Sequence, residues 1–147
     1  MGRFNYMLNF AYGSNMSRQR LSSRISEAKF YGIGKILDKK LLCNKKSIEG
    51  SGKANLVNTP GEIVWGVLYK INDKDIHILD KIEDGYQRQT HKILINEKNV
   101  LAELYVSERL TYELPTKSYK KHIVEGAIEN QLPLDYIKNL KNIHTID

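Results

Sequence analysis

Ile63, Val64, Trp65, Val67, Leu68 and Tyr69 form a near-continuous apolar run within residues 62–71. The run is far short of the ~20 residues that span a bilayer, and its β-branched and aromatic content suits a strand buried on both faces. Such a strand sits centrally in a sheet and must be covered on either side, which commits the chain to a layered fold. The 147 residues suffice for one core and are too few for two full-sized domains, so residues 1–147 read as a single domain. Hydrophobic residues at 41% and charged residues at 27% are ordinary globular usage, which excludes a disordered or membrane-embedded chain. Met1 to Asn9 carries only Arg3 as charge, and Tyr6, Leu8 and Phe10 alternate with polar neighbours, unlike a signal-peptide core. A cytoplasmic protein without a membrane partner is the expectation.

Around the central run, period and punctuation predict the other elements. Residues 5–12 alternate as a strand, broken by Gly13-Ser14-Asn15. Residues 17–27 read as a short helix with Leu21 and Ile25 four apart, and residues 28–37 return to strand character around Phe30, Tyr31, Ile33 and Ile36. Gly50, Gly52, Pro60 and Gly61 make residues 44–61 loop-rich. Asn72 is placed to cap a helix over residues 73–84, which Gly85 stops. Strands over 88–95 and 100–106 form a hairpin about Asn96-Glu97-Lys98-Asn99. Residues 118–130 read as a helix, and Pro133 separates it from a last helix carrying Tyr136, Ile137, Leu140 and Ile143. The order predicts an α+β domain with a largely antiparallel or barrel-like sheet.

Cys43 stands alone, so neither an intrachain disulfide nor a cysteine-pair metal site is expected, and it reads as a small buried hydrophobe. His77, His91, His122 and His144 are not spaced as metal ligands, and no metal is expected. Residues 1–60 carry a net charge of +8 and residues 61–147 a net charge of −2, an asymmetry that permits an anionic partner. Lys39, Lys40, Lys45 and Lys46 read as the solvated face of a loop or edge, with no aromatic platform beside them. Nucleic-acid binding is therefore not favoured. Were it present, it would depend on salt and on Lys45 and Lys46.

Two constellations carry chemistry. In Tyr12-Gly13-Ser14-Asn15-Met16 a strand meets a helix in a tight turn, where successive amides and the helix dipole suit a carboxylate or phosphate. The competing reading is a plain connection, with Gly13 at positive φ and Ser14 or Asn15 capping the helix. Glu83 shares the apolar face of Ile76 and Leu79 and lies in the last turn, where the dipole disfavours a negative charge. A carboxylate placed against both tendencies has its pKa raised, as a general base near neutral pH requires. A one-residue error of phase would instead expose Glu83 beside Asp80 and Asp84, which read as solvated structural acids. Tyr12, Tyr86 and Tyr119 lie near these constellations and are candidates for holding a substrate.

The same residues resemble the γ-glutamylcyclotransferase family. The likeness runs through Phe10-Ala11-Tyr12-Gly13-Ser14-Asn15-Met16, residues 61–69, Leu79-Asp80-Lys81-Ile82-Glu83, Tyr119-Lys120-Lys121 and residues 126–136, in order, from Phe10 to Leu140. It implies an α+β domain whose mixed, largely antiparallel sheet closes or nearly closes into a small barrel with flanking helices. It also implies cleavage of a γ-glutamyl amide by its own α-amine, releasing 5-oxoproline and a free amine or amino acid. By resemblance, Glu83 is the general base, Tyr12, Gly13, Ser14 and Asn15 bind the glutamyl moiety, and no cofactor is needed. The partner implied is a small γ-glutamyl substrate, with the chain a monomer or homodimer. The Gly-Ser-Asn turn is closer to the branch acting on γ-glutamyl amino acids than to glutathione-specific relatives. Asp84 before Gly85 departs from the family, in which glycine often follows the glutamate directly. Residues 44–55 and 107–117 are individual to this chain and are expected to face the leaving amine. A binding module that keeps the pocket for a small anion or metabolite is the alternative.

Overall fold

The structure is a computed structural model that describes residues 5–147; residues 1–4, with Arg3, lie outside the described part. Five strands close into a barrel in the order β1 (Tyr6–Ala11), β3 (Gly52–Asn72), β2 (Lys29–Lys46), β4 (Gln87–Ile95) and β5 (Lys98–Val106). All neighbours are antiparallel except β5 and β1, which close the barrel in parallel at Asn9 and Glu103. Around it lie the helices α1 (Arg18–Arg24), α2 (Ile76–Ile82), α3 (Lys117–Glu129) and α4 (Leu134–Lys141). No helix among the described residues is long and apolar enough to cross a membrane.

The apolar run is central because β3 pairs β1 on one side and β2 on the other. Val64, Val67, Leu68 and Tyr69 are at most 2% exposed, while Ile63, at the start of the run, is 40% exposed. The expected hairpin is β4 and β5, turning at Asn96 and Glu97, both of positive φ. That is the handedness a two-residue hairpin needs to match strand twist.

Residues 44–61 are not a loop. β2 runs on to Lys46 and β3 starts at Gly52, so residues 47–51 alone connect them, with Gly50 at φ +97. Pro60 and Gly61 lie inside β3 at an irregularity in its pairing, where Asp38 and Gly61 take positive φ and the Gly61 amide donates to Asp38 Oδ1 at 3.0 Å. Bulges of this kind tolerate glycine and proline and bend a long ribbon without ending it. The helices predicted over 17–27 and 73–84 are also shorter, whereas the one predicted over 118–130 keeps its length as α3. Residues 14–16 and 73–75 are single 3₁₀ turns that precede α1 and α2. Asn72 makes no cap; its amide donates to Glu27 Oε2 at 2.7 Å. Cys43 is only half-buried.

The 3₁₀ turn after β1 is seated from behind. Met16 is fully buried, and its carbonyl accepts from the Tyr69 hydroxyl and from Asn130 Nδ2, each at 2.8 Å. Gly126 lets α3 close on this turn, for a Cβ there would lie 2.9 Å from the Ser17 nitrogen and from Met16 Cβ. Because Asn130 also donates to the Gly126 carbonyl at 2.8 Å and is 6% exposed, Asn130→Ala removes two buried hydrogen bonds. We expect about 1–3 kcal/mol of destabilisation in urea unfolding, measured at constant m-value; an unchanged midpoint would show that the turn is held without it.

Candidate active site

Beyond Ala11 the chain leaves the barrel through Tyr12 and Gly13 into the turn. Gly13 has φ −114, not the positive value of a plain connecting turn, and space explains the glycine: a Cβ would meet Ala54 Cβ at 3.0 Å and the Tyr119 hydroxyl at 3.5 Å. Met16 and Ser17 amides donate back to the Gly13 and Ser14 carbonyls. The amides of Gly13, Ser14 and Asn15 have no acceptor among the described residues. Neither Ser14 nor Asn15 caps α1; Ser17 does, accepting from the Arg20 amide. The Asn15 side chain is thereby free for another use.

Glu83 takes it up. Ile76 and Leu79 turn α2 onto the core, and Glu83, expected inside the last turn, is instead the capping residue one position past the end of the helix. Its side chain is 16% exposed and faces the turn: Oε1 accepts from Asn15 Nδ2 at 2.9 Å and from Arg24 Nη1 at 3.3 Å. Arg24 Nη1 also donates to Asn15 Oδ1 at 2.9 Å, so the three side chains lock one another. Both bonds fall on Oε1, and Oε2 has no protein partner among the described residues. Burial pushes the Glu83 carboxyl above its ordinary pKa, against the opposing pull of Arg24, Asn15, Lys45 and Arg20. Gly85, two residues beyond the cap, closes the turn that follows the helix at φ +84. Asp84 is exposed, whereas Asp80 is committed: it accepts from the Tyr105 hydroxyl at 2.6 Å and pairs with Arg88 at 3.0 Å.

Three tyrosines surround the space between the turn and Glu83. The Tyr12 hydroxyl donates to the Tyr105 carbonyl, and the Tyr86 hydroxyl to the Ala54 carbonyl at 2.7 Å. The Tyr119 hydroxyl instead accepts from the Ala54 amide at 2.9 Å, so its own proton is unspent. Burial holds all three hydroxyls well above the ordinary phenol pKa, leaving them protonated donors. These residues, with Gly13, Ser14, Asn15 and Glu83, line a cavity of about 50 Å³, so every residue picked from the sequence for the site stands at one place.

An outer chamber of about 210 Å³ shares Ser14, Glu83, Tyr86 and Tyr119 with this cavity. Sequence reasoning missed its basic lining. Lys45 is not on a solvated loop: it is 8% exposed, donates to the Asp84 carbonyl at 2.9 Å and lies 4.8 Å from the Tyr86 ring centre. Arg20 and Arg24 share a helical face four residues apart, a spacing that was readable once the turn was suspected. Lys45 and Lys53 line it from β2 and β3, within residues 44–61 whose composition predicts a loop. Of the two individual segments, residues 44–55 reach this chamber, and residues 107–117 line neither space. No group of His, Cys, Asp and Glu among the described residues has metal-binding geometry.

Residues 63–140 match the AIG2-like family. The chain is 32% identical to a gamma-glutamylcyclotransferase of Homo sapiens, over 95% of this chain and 80% of that one. It is 33% identical to the gamma-glutamylcyclotransferase of Bos taurus with the same coverage. A solved structure titled gamma-glutamyl cyclotransferase superposes with a TM-score of 0.91 at 33% identity, covering 97% of this chain and 90% of the other.

The Glu83 environment is directly measurable. In carboxyl-labelled protein followed by NMR, Glu83 should titrate above the usual glutamate range, because desolvation outweighs its partners. Arg24→Gln removes a cation that favours the charged form, so the titration should move to still higher pH. A shift to lower pH, or none, contradicts the coupling.

Proposed function

This chain belongs to the AIG2-like, gamma-glutamylcyclotransferase family, and from that premise we propose that it cleaves a γ-glutamyl amide by intramolecular attack of the glutamyl α-amine, with Glu83 as general base. The observation that carries the reading is the inward, desolvated Glu83 held against the 13–15 turn, with one carboxylate oxygen unengaged. An α-ammonium is not nucleophilic, and a base that is ionised yet of raised pKa removes its proton efficiently near neutral pH. Arg24 and Asn15 fix Oε1, so Oε2 is the oxygen for the ammonium.

The unspent amides of Gly13, Ser14 and Asn15 are the counterpart for the glutamyl α-carboxylate. Holding the carboxylate and the ammonium at two fixed points curls the side chain, bringing the amine onto its own γ-carbonyl. The new C–N bond closes the five-membered lactam while negative charge gathers on the carbonyl oxygen. Among the three tyrosines only Tyr119 retains a proton to give that oxygen, since Tyr12 and Tyr86 already donate to carbonyls. Collapse breaks the original amide bond. The two protons lost by the α-ammonium end on the leaving nitrogen, the first by way of Glu83, so 5-oxoproline and a free amine form with no water consumed. The side chains require no cofactor for this sequence. We keep a cytoplasmic location and a monomer or homodimer as parts of the same proposal.

Glu83→Gln should lower turnover of γ-glutamyl-alanine by roughly 10²- to 10⁴-fold or more with the fold intact by circular dichroism. Full activity in the folded variant refutes the assignment. In the parent enzyme kcat/KM should fall as pH drops through the Glu83 pKa, because the base must be ionised. Tyr119→Phe should cut kcat by roughly 10²-fold or more with a smaller change in KM, as loss of an oxyanion donor does. It also leaves the buried Ala54 amide unpaired, for about 1–3 kcal/mol of stability. A change in KM alone would make Tyr119 a binding residue instead. A pocket that binds γ-glutamyl amides without releasing 5-oxoproline would return the chain to the binding-module alternative.

A further inference from the structure

The outer chamber holds more positive charge than the cyclisation uses. Arg24 is engaged by Glu83 and Asn15. Lys45 is engaged by the Asp84 carbonyl and the Tyr86 ring. Arg20 has no carboxylate within ion-pair distance among the described residues, and its Nε is buried without an acceptor. Lys53 lies 4.2 Å from the Tyr119 ring centre, and its one carboxylate partner is Glu49 at 3.4 Å, whose side chain is 60% exposed. An exposed carboxylate of that kind is readily exchanged for another anion.

Resting on the cyclotransferase reading, the direction of the substrate through this space follows. With its α-carboxylate at the turn and its ammonium at Glu83, the glutamyl part fills the inner cavity. The leaving amine then lies past Tyr119 and Tyr86, in the chamber where Arg20 and Lys53 stand. A neutral amino acid brings one carboxylate to two available cations. An acidic one brings two, and gives the guanidinium fork and the ammonium a partner each.

We propose that the chamber is a leaving-group subsite selective for acidic amino acids, a γ-glutamyl-glutamate or γ-glutamyl-aspartate type of substrate, with Arg20 as the specificity-determining side chain and Lys53 as its second anchor. The cations come from two elements, α1 and β3, and line the same chamber, so a leaving group with two carboxylates offers each its own partner. Asp84 and Glu49 stand at the exposed rim, where water and salt screen them.

The test compares kcat/KM for γ-glutamyl-glutamate, γ-glutamyl-alanine and γ-glutamyl-ethylamide, following 5-oxoproline release at low and high salt. The expected order is glutamate, then alanine, then ethylamide, with glutamate ahead of alanine by roughly tenfold, carried by KM. Added salt should narrow the gap. Arg20→Gln should bring the glutamate-to-alanine ratio toward unity, and Arg20→Glu should favour γ-glutamyl-lysine over γ-glutamyl-glutamate. If Arg20→Gln does not fold, Lys53→Gln reads the same ratio. Alanine turned over as well as glutamate, or a ratio that neither variant changes, overturns the subsite while leaving the cyclotransferase reading intact. No 5-oxoproline from any of the three amides overturns both.

Discussion

The Met16 carbonyl is where the barrel and the helical layer meet at the site. Tyr69 reaches it from the central strand and Asn130 from the end of α3, so one buried acceptor ties together two elements far apart in sequence. Everything functional is measured from the turn fixed there. Its residues 13–15, whose amides have no acceptor among the described residues, line the cavity, and its Asn15 side chain positions Glu83 across the gap. Were the turn free to fray, the three-way lock among Asn15, Arg24 and Glu83 would have no fixed end.

Glu83 illustrates how the fold supports a group that it does not favour. A carboxyl with raised pKa contributes stability below its unfolded pKa and loses it as pH rises through the folded value, so ionising Glu83 works against folding. Arg24 and Asn15 offset that cost without abolishing the shift. The same division of labour separates the tyrosines. Tyr12 and Tyr86 spend their protons on main-chain carbonyls and brace the cavity, while Tyr119 takes the Ala54 amide as a donor and keeps its proton.

Much of this was legible in the chain. The apolar run identified the central strand because burial on both faces leaves no room for alternation. The phase of Ile76, Leu79 and Glu83 identified an inward acid because helical geometry fixes which residues share a face. The hairpin followed from its turn residues. Where the reading went wrong, local chemistry was overruled by pairing: Pro60 and Gly61 look like a loop, yet a bulge absorbs them within β3. That error hid Lys45 and Lys53, whose inward direction follows only from strands that sequence reading did not continue.

By itself the sequence determined which elements form, which faces they bury and which short motifs have the composition for anion and proton chemistry, since these depend on neighbours within a few residues. Only the tertiary structure decided that Arg24 and Asn15 share one oxygen of Glu83, that Tyr119 alone of the three cavity tyrosines keeps its proton, and that Arg20 and Lys53 line one chamber. Each of those facts is a distance between groups tens of residues apart. It is fixed by barrel closure and helix docking, and no local pattern encodes it.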